Sequence, residues 1–289
     1  FRRAAKLANT APFVPQRHGA DVGQYLEAWT VDAAKKAPVA GREPRYPQGG
    51  APRTPIFVLG YTGPLLRALS EAICTHDTVT RAPRGDMLPA AAMRSLGAKN
   101  GSFHNYIAAP ARLNAVRAAD TTSFYLERAH DGVEASATHV VDVSPQTISH
   151  AAALPMVMPF AKVVYVEQDP IRGNLSGFIG PFEAQSPFTH DPLKATTFMR
   201  GMTTMWGRAR EIYDARGFAH TVVDGERLLT DPRGAMADLY ASLGLSDDGA
   251  VDRATATFET HRPESAMRAD LADALPNAAS EFRKLHASA

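Results

Sequence analysis

Hydrophobic positions along this chain gather into a few short, unbroken runs separated by longer stretches with helical spacing. Pro55-Ile-Phe-Val-Leu-Gly60 is an apolar, β-rich run ending in glycine, the pattern of a strand buried on both faces that opens into a turn. His139–Val143, Lys162–Val166 and His220–Val223 repeat it. Each has helical sequence before and after it, as βαβ units require. The spacing therefore predicts an α/β fold with a parallel sheet of about four or five strands flanked by helices.

Helical periodicity places Val22, Tyr25, Leu26 and Trp29 on one face of a helix over Asp21–Lys36. Further helices are expected over Leu65–Thr75 and over Thr196–Arg216, which carries Met199, Met202, Trp206 and Ile212. The C-terminal third reads as almost wholly helical, at Pro232–Leu243, Asp248–Thr260 and Ala278–His286. Residues 1–20 have weak helical character broken by Pro12 and Pro15, and residues 37–54 are rich in Pro, Gly and Arg without periodicity. This predicts a helical leader and linker over 1–54 and an α/β domain over 55–289. No internal repeat or low-complexity segment interrupts the pattern.

Composition narrows the picture. A chain of 289 residues, 45% hydrophobic and 21% charged, can bury a core that needs neither disulfide nor metal. Its one cysteine, Cys74, excludes an intramolecular disulfide and any site built from several thiolates. Formal net charge is +1, which gives no support for nucleic-acid binding or for an anionic membrane surface. The most apolar stretch, Ala151–Val166, contains Pro155, Pro159 and Lys162 and is shorter than a bilayer span. No transmembrane helix is expected, and the lack of cysteine pairs is compatible with a cytoplasmic location. The numbered chain begins at Phe1, which leaves room for a targeting segment upstream.

Several segments follow one another in a familiar order: Pro55 to His76, Asp142-Val-Ser-Pro145, Glu167-Gln-Asp-Pro170 with Leu175-Ser176, His190-Asp191 before a helix ending in Trp206, and Asp224-Gly-Glu-Arg-Leu228 before Asp231-Pro232. Together, from about Pro12 to Leu285, they resemble bacterial sulfotransferases of the type often fused to TPR repeats, relatives of the tyrosylprotein sulfotransferases. The resemblance implies a P-loop-type sulfotransferase fold. It also implies 3′-phosphoadenosine 5′-phosphosulfate (PAPS) lying across the carboxyl ends of the strands, where α/β sheets generally bind ligands.

At the positions that contact the donor in the family, this chain departs from the pattern. The family's Pro-Arg-Ser-Gly-Thr loop corresponds to Thr62, Gly63, Pro64, Leu65 and Leu66, so the arginine has become glycine and a serine has become proline, which offers no amide hydrogen. The lysine of Asp-Lys-Thr-Pro is replaced by Val143, and the arginine before Asp-Pro by Gln168, although Ser176 keeps the family's spacing. Positional matches to the cofactor site are thus Gly60, Thr62, Gly63, Arg67, Gln168 and Ser176. Asp86 is the nearest carboxylate to the family's general base. Losing one partner of a buried charge pair costs roughly 2–5 kcal/mol. Three such losses, discounted for non-additivity, amount to at least about 5 kcal/mol, on the order of thousands-fold in affinity.

Arg67, Arg81, Arg84 and Arg172 fall near the same edge and offer replacement cations; solvated surface roles are the simpler reading. His104, His150 and His190 could line the cleft, with polar core or capping roles again simpler. No His/Cys spacing suggests a metal, and Gly-x-Gly-x-x-Gly, Walker and Gly-x-Ser-x-Gly patterns are absent. The expectation is a pseudoenzyme: a sulfotransferase-like domain without PAPS or other cofactor, serving as a structural subunit for a protein partner, with an oligomer left open. The alternative is an active, divergent PAPS-dependent enzyme acting on a peptide or small-molecule hydroxyl. A third reading is a transferase using another anionic donor.

Overall fold

A computed structural model describes residues 14–40, 52–61, 64–85, 87–96, 113–143, 145–179, 191–261 and 276–287. Five strands form one sheet: β1 (Thr54–Gly60), β2 (Val79–Arg81), β3 (His139–Val143), β4 (Lys162–Glu167) and β5 (His220–Asp224). Their order is β2-β3-β1-β4-β5, and every pairing is parallel. The expected sheet is present. The apolar runs of β1, β3 and β4 are buried because helices cover both faces. β2 has no such run; it is a three-residue edge strand in which only Val79 is buried.

Alternation along the strands divides the core in two. Phe57, Leu59, Val163 and Tyr165 face a layer that includes α1 (Pro15–Ala28), α2 (Val31–Lys36), α4 (Met87–Leu96), α5 (Ala115–Ala129) and α8 (Pro192–Arg216). Ile56, Val58, Val141, Val164 and Val166 face the other layer, made by α3 (Pro64–Ile73), α10 (Pro232–Leu243) and α11 (Ala250–His261). A 3₁₀ segment over Pro145–Ala153 and a short α6 (Leu154–Val157) follow β3. After β4 comes α7 (Pro170–Ile179), after β5 comes α9 (Gly225–Thr230), and the last described element is α12 (Pro276–Ala287). No described helix is long and apolar enough to cross a membrane.

The helix expected over Asp21–Lys36 is two helices. α1 ends where the Trp29 amide bonds the Tyr25 carbonyl, and α2 restarts from Thr30, whose hydroxyl accepts from the Ala33 amide. The break lets Trp29 and Ala34 both enter the core. It also aims carbonyls at two arginines of α8: Arg208 donates to Leu26 and Trp29, and Arg216 to Ala34 and Ala37. The Ala40 amide bonds the Met156 carbonyl, so this start of the Pro/Gly/Arg-rich stretch is an ordered surface segment. Residues 1–13 and 41–51 lie outside the described residues.

Candidate functional site

The carboxyl ends of β1, β3 and β4 meet at one edge of the sheet, with Val58 opposite Val143 and Gly60 opposite Val166. Gly60 has φ +152°, a conformation side chains rarely adopt. A Cβ there would stand 2.9 Å from the Val166 carbonyl oxygen and 3.3 Å from Leu66 Cδ1. The glycine is therefore required by the approach of β4's own backbone, before any ligand is considered.

Tyr61 follows and is buried. Its hydroxyl donates to Asn174 Oδ1 at 3.1 Å, and the Asn174 amide nitrogen lies 3.0 Å from His286 Nε2. Burial pushes the Tyr61 phenol up, so it stays a donor. The His286 imidazole is pushed down by burial and by the Arg200 cation, against the pull of Asp169, so its neutral ring accepts from Asn174. Arg200 also donates to the Leu285 carbonyl. This chain of polar groups ties the turn after β1 to α7 and to α12, whose Ala279 and Phe282 pack beside Leu175 and Ala195. No local sequence pattern announces it, because its members lie far apart along the chain.

Three Asp-Pro pairs, all at positions that carry the family resemblance, do local work. Asp191 and Asp231 are N-caps accepting from the Lys194 and Gly234 amides, Asp169 accepts from the Arg172 amide, and the proline after each opens a helix. Asp224 caps α9 through the Glu226 and Arg227 amides. Trp206 at the end of the His190-Asp191 match is buried and stacked on Tyr165, centroids 4.1 Å apart and planes within 5°.

Gln168 is half-buried between α7 and α9. Its Oε1 is 3.4 Å from where a Cβ on Gly173 would stand, and its Cγ is 3.0 Å from the corresponding point on Gly225. Val143 is half-buried against the apolar cluster of Ile56 and Val58. Of the four arginines, Arg172 pairs with Glu226 at 2.5 Å, Arg81 with Glu71 at 2.5 Å, and Arg84 reaches Asp131 at 4.0 Å. Arg67 is exposed on the first turns of α3 and has no ion pair among the described residues. Ser176 belongs to α7. Thr62, Gly63, Asp86, His104, Ser144 and His190 lie outside the described residues. His150 is buried within the 3₁₀ segment, and burial pushes its imidazole down to about 3.

A second polar group sits one strand over. Asp142 of β3 is buried and accepts from the Tyr125 hydroxyl at 3.1 Å. It lines a cavity of about 390 Å³ with Arg81, Ala82, Pro83, Gly85, Val141 and Val143. Among the described residues no group of three or more His, Cys, Asp and Glu is placed to hold a metal ion.

Residues 65–249 match the family model described as Sulfotransferase family. No curated protein matches the sequence significantly. Among solved structures, the chain is similar to a sulfotransferase from Alicyclobacillus acidocaldarius, at 16% identity, covering 82% of this chain and 96% of that one with a TM-score of 0.45. It is similar to a sulfotransferase from Mycobacterium tuberculosis, at 15% identity over 98% of this chain and 97% of that one, TM-score 0.44. A third is the sulfotransferase domain of the Synechococcus olefin synthase, at 17% identity over 86% and 98% of the two chains, TM-score 0.47.

Proposed function

Because this chain belongs to the sulfotransferase family, we propose that it keeps the family's scaffold while having lost the ordinary PAPS site, and that it works by holding another protein. The observation that carries this reading is the set of groups at the strand ends. Val143 and Gln168 stand at the carboxyl ends of β3 and β4, where the resemblance places a lysine and an arginine, and neither can carry a positive charge. Pro64, the first residue of α3, has no amide hydrogen for an anion at that helix start. Arg81 and Arg172 are paired with carboxylates at 2.5 Å, and exposed Arg84 comes within 4.0 Å of Asp131. A donor with several negative charges needs cations and amide donors in concert, and these residues do not fit it. In the role proposed, the chain needs neither PAPS nor another cofactor.

In this reading residues 55–289 form the sulfotransferase-like unit, and 1–54 are its leader and linker, whose α1 and α2 pack into its core through Tyr25, Trp29 and Ala34. A subunit role beside TPR repeats is consistent with it. One observation favours the alternative of an active, divergent enzyme: exposed Arg67, which has no ion pair among the described residues, could meet a phosphate together with Ser176, with Asp86 as base. Calorimetric titration with PAP, the nucleotide product carrying both phosphates, decides between them. No heat at millimolar nucleotide is the expected result. Stoichiometric micromolar binding that Arg67→Ala weakens would establish the alternative.

A further inference from the structure

We propose that the outer edge of β5 pairs antiparallel with β5 of a second copy of this chain, joining two sheets into one. The inference holds whether or not nucleotide binds at the strand ends. Among the described strands β5 closes one side of the sheet, with β4 as its neighbour. In a parallel ladder, alternate residues of a strand turn both amide and carbonyl toward the same neighbour. The Val163 amide, opposite His220, bonds the Ala219 carbonyl, so the odd-numbered residues of β5 face β4. His220 and Val222 therefore turn amide and carbonyl outward. Asp224 turns its amide outward, while its carbonyl enters α9 as the N-cap. Among the described residues no backbone group meets these on the outer side.

Open edges are usually blunted by lysine, proline or a bulge. β5 has none of these: its register with β4 is unbroken, and Thr221, Val222 and Val223 are β-branched residues that favour an extended backbone. The strand is also self-complementary. A twofold axis through Val222 sets that residue opposite its copy and His220 opposite Asp224 at each end, so a basic residue meets an acid twice. The same register brings outward groups together, for about four main-chain bonds. A slip of one residue would set them against residues already bonded to β4. Both amides that Asp224 caps bond its Oδ1, which leaves Oδ2 for the other copy. His220 Nε2 lies 3.5 Å from Asp214 Oδ1 of its own chain, so the imidazole would stand between two carboxylates.

Sedimentation equilibrium and amide hydrogen exchange of the full chain test this together. We expect a monomer–dimer equilibrium with Kd on the order of 100 µM, because so short an edge buries less than a standard interface. As the chain is concentrated, exchange at the Val222 amide should slow, while Thr221 and Val223, already bonded to β4, stay unchanged. Val222→Pro removes the outward amide and keeps the β4 bonds, since proline is tolerated where an edge amide faces solvent. It should weaken the dimer by at least about tenfold. Asp224→Asn keeps the helix cap and should weaken the dimer by about threefold. Should Val222→Pro fail to fold, the exchange pattern and Asp224→Asn decide. A chain that stays monomeric at about 1 mM, its edge left to an extended segment of some other protein, would overturn the proposal. So would a dimer that Val222→Pro leaves intact, or one whose formation does not slow exchange at Val222.

Discussion

Gly60→Ala tests whether the turn after β1 is shaped by the protein rather than by a ligand. The new methyl would sit 2.9 Å from the Val166 carbonyl oxygen, which belongs to a central strand and cannot swing aside as a side-chain tip would. Two costs combine. An L-residue held at φ +152° carries about 1–3 kcal/mol of backbone strain. Forcing a carbon into an occupied contact costs about 1–3 kcal/mol more. The lost freedom of the unfolded chain returns only about 0.4–1 kcal/mol. A net loss of about 2–5 kcal/mol is expected, a large share of the roughly 5–15 kcal/mol typical of a folded domain. Urea denaturation of the purified chain, with no nucleotide present, reads it as a lower midpoint at unchanged slope. Gly207→Ala is the control: it lies within α8, and nothing stands within 4 Å of its added Cβ. That change should stabilise by about 0.5–1 kcal/mol. If Gly60→Ala loses less than about 1 kcal/mol, the packing argument for this glycine is wrong.

Acid should weaken the protein earlier than its carboxylates alone would. Burial holds His150 near 3 and His130 near 4, below the ordinary value of 6.5, so the unfolded chain binds these protons first. Their contribution is intact above about pH 6.5 and is lost as pH falls toward 3–4, on the order of 5 kcal/mol for His150 and about 3 kcal/mol for His130. Urea midpoints measured from pH 7 to 5 should fall, and His150→Gln should flatten that slope; a variant as steep as the native chain would contradict the assignment. Trp206→Ala removes a ring stacked on Tyr165 and edge-on to Tyr213, and should cost about 3–5 kcal/mol by the same denaturation assay. Trp206→Phe should recover more than half of that, and equal losses for the two would show that ring stacking is not what Trp206 supplies.

Much of the architecture was legible because burial on both faces leaves an unbroken apolar run. Pro55–Gly60 and Lys162–Val166 could hardly be anything else once helical spacing surrounded them. β2 escaped because an edge strand of three residues with Arg81 at its end needs no such run. The break at Trp29–Thr30 escaped because its cause is a hydroxyl cap and two distant arginines, not a change of hydrophobic period. The site divides in the same way. Val143 and Gln168 stand at strand ends as their neighbours in sequence suggested, since register follows the runs. The links from Tyr61 to Asn174 and His286, and from Tyr125 to Asp142, join residues that only the fold brings together.

The order β2-β3-β1-β4-β5 places the earliest of the five described strands at the centre of the finished sheet. β1 is made early, yet its partners on either side, residues 139–143 and 162–167, are translated long afterwards. Through that interval the nascent chain carries an apolar strand with both hydrogen-bonding edges open, the kind of segment that invites chaperones or self-association. A product truncated after β3 would still leave the β4-facing edge of β1 without its partner.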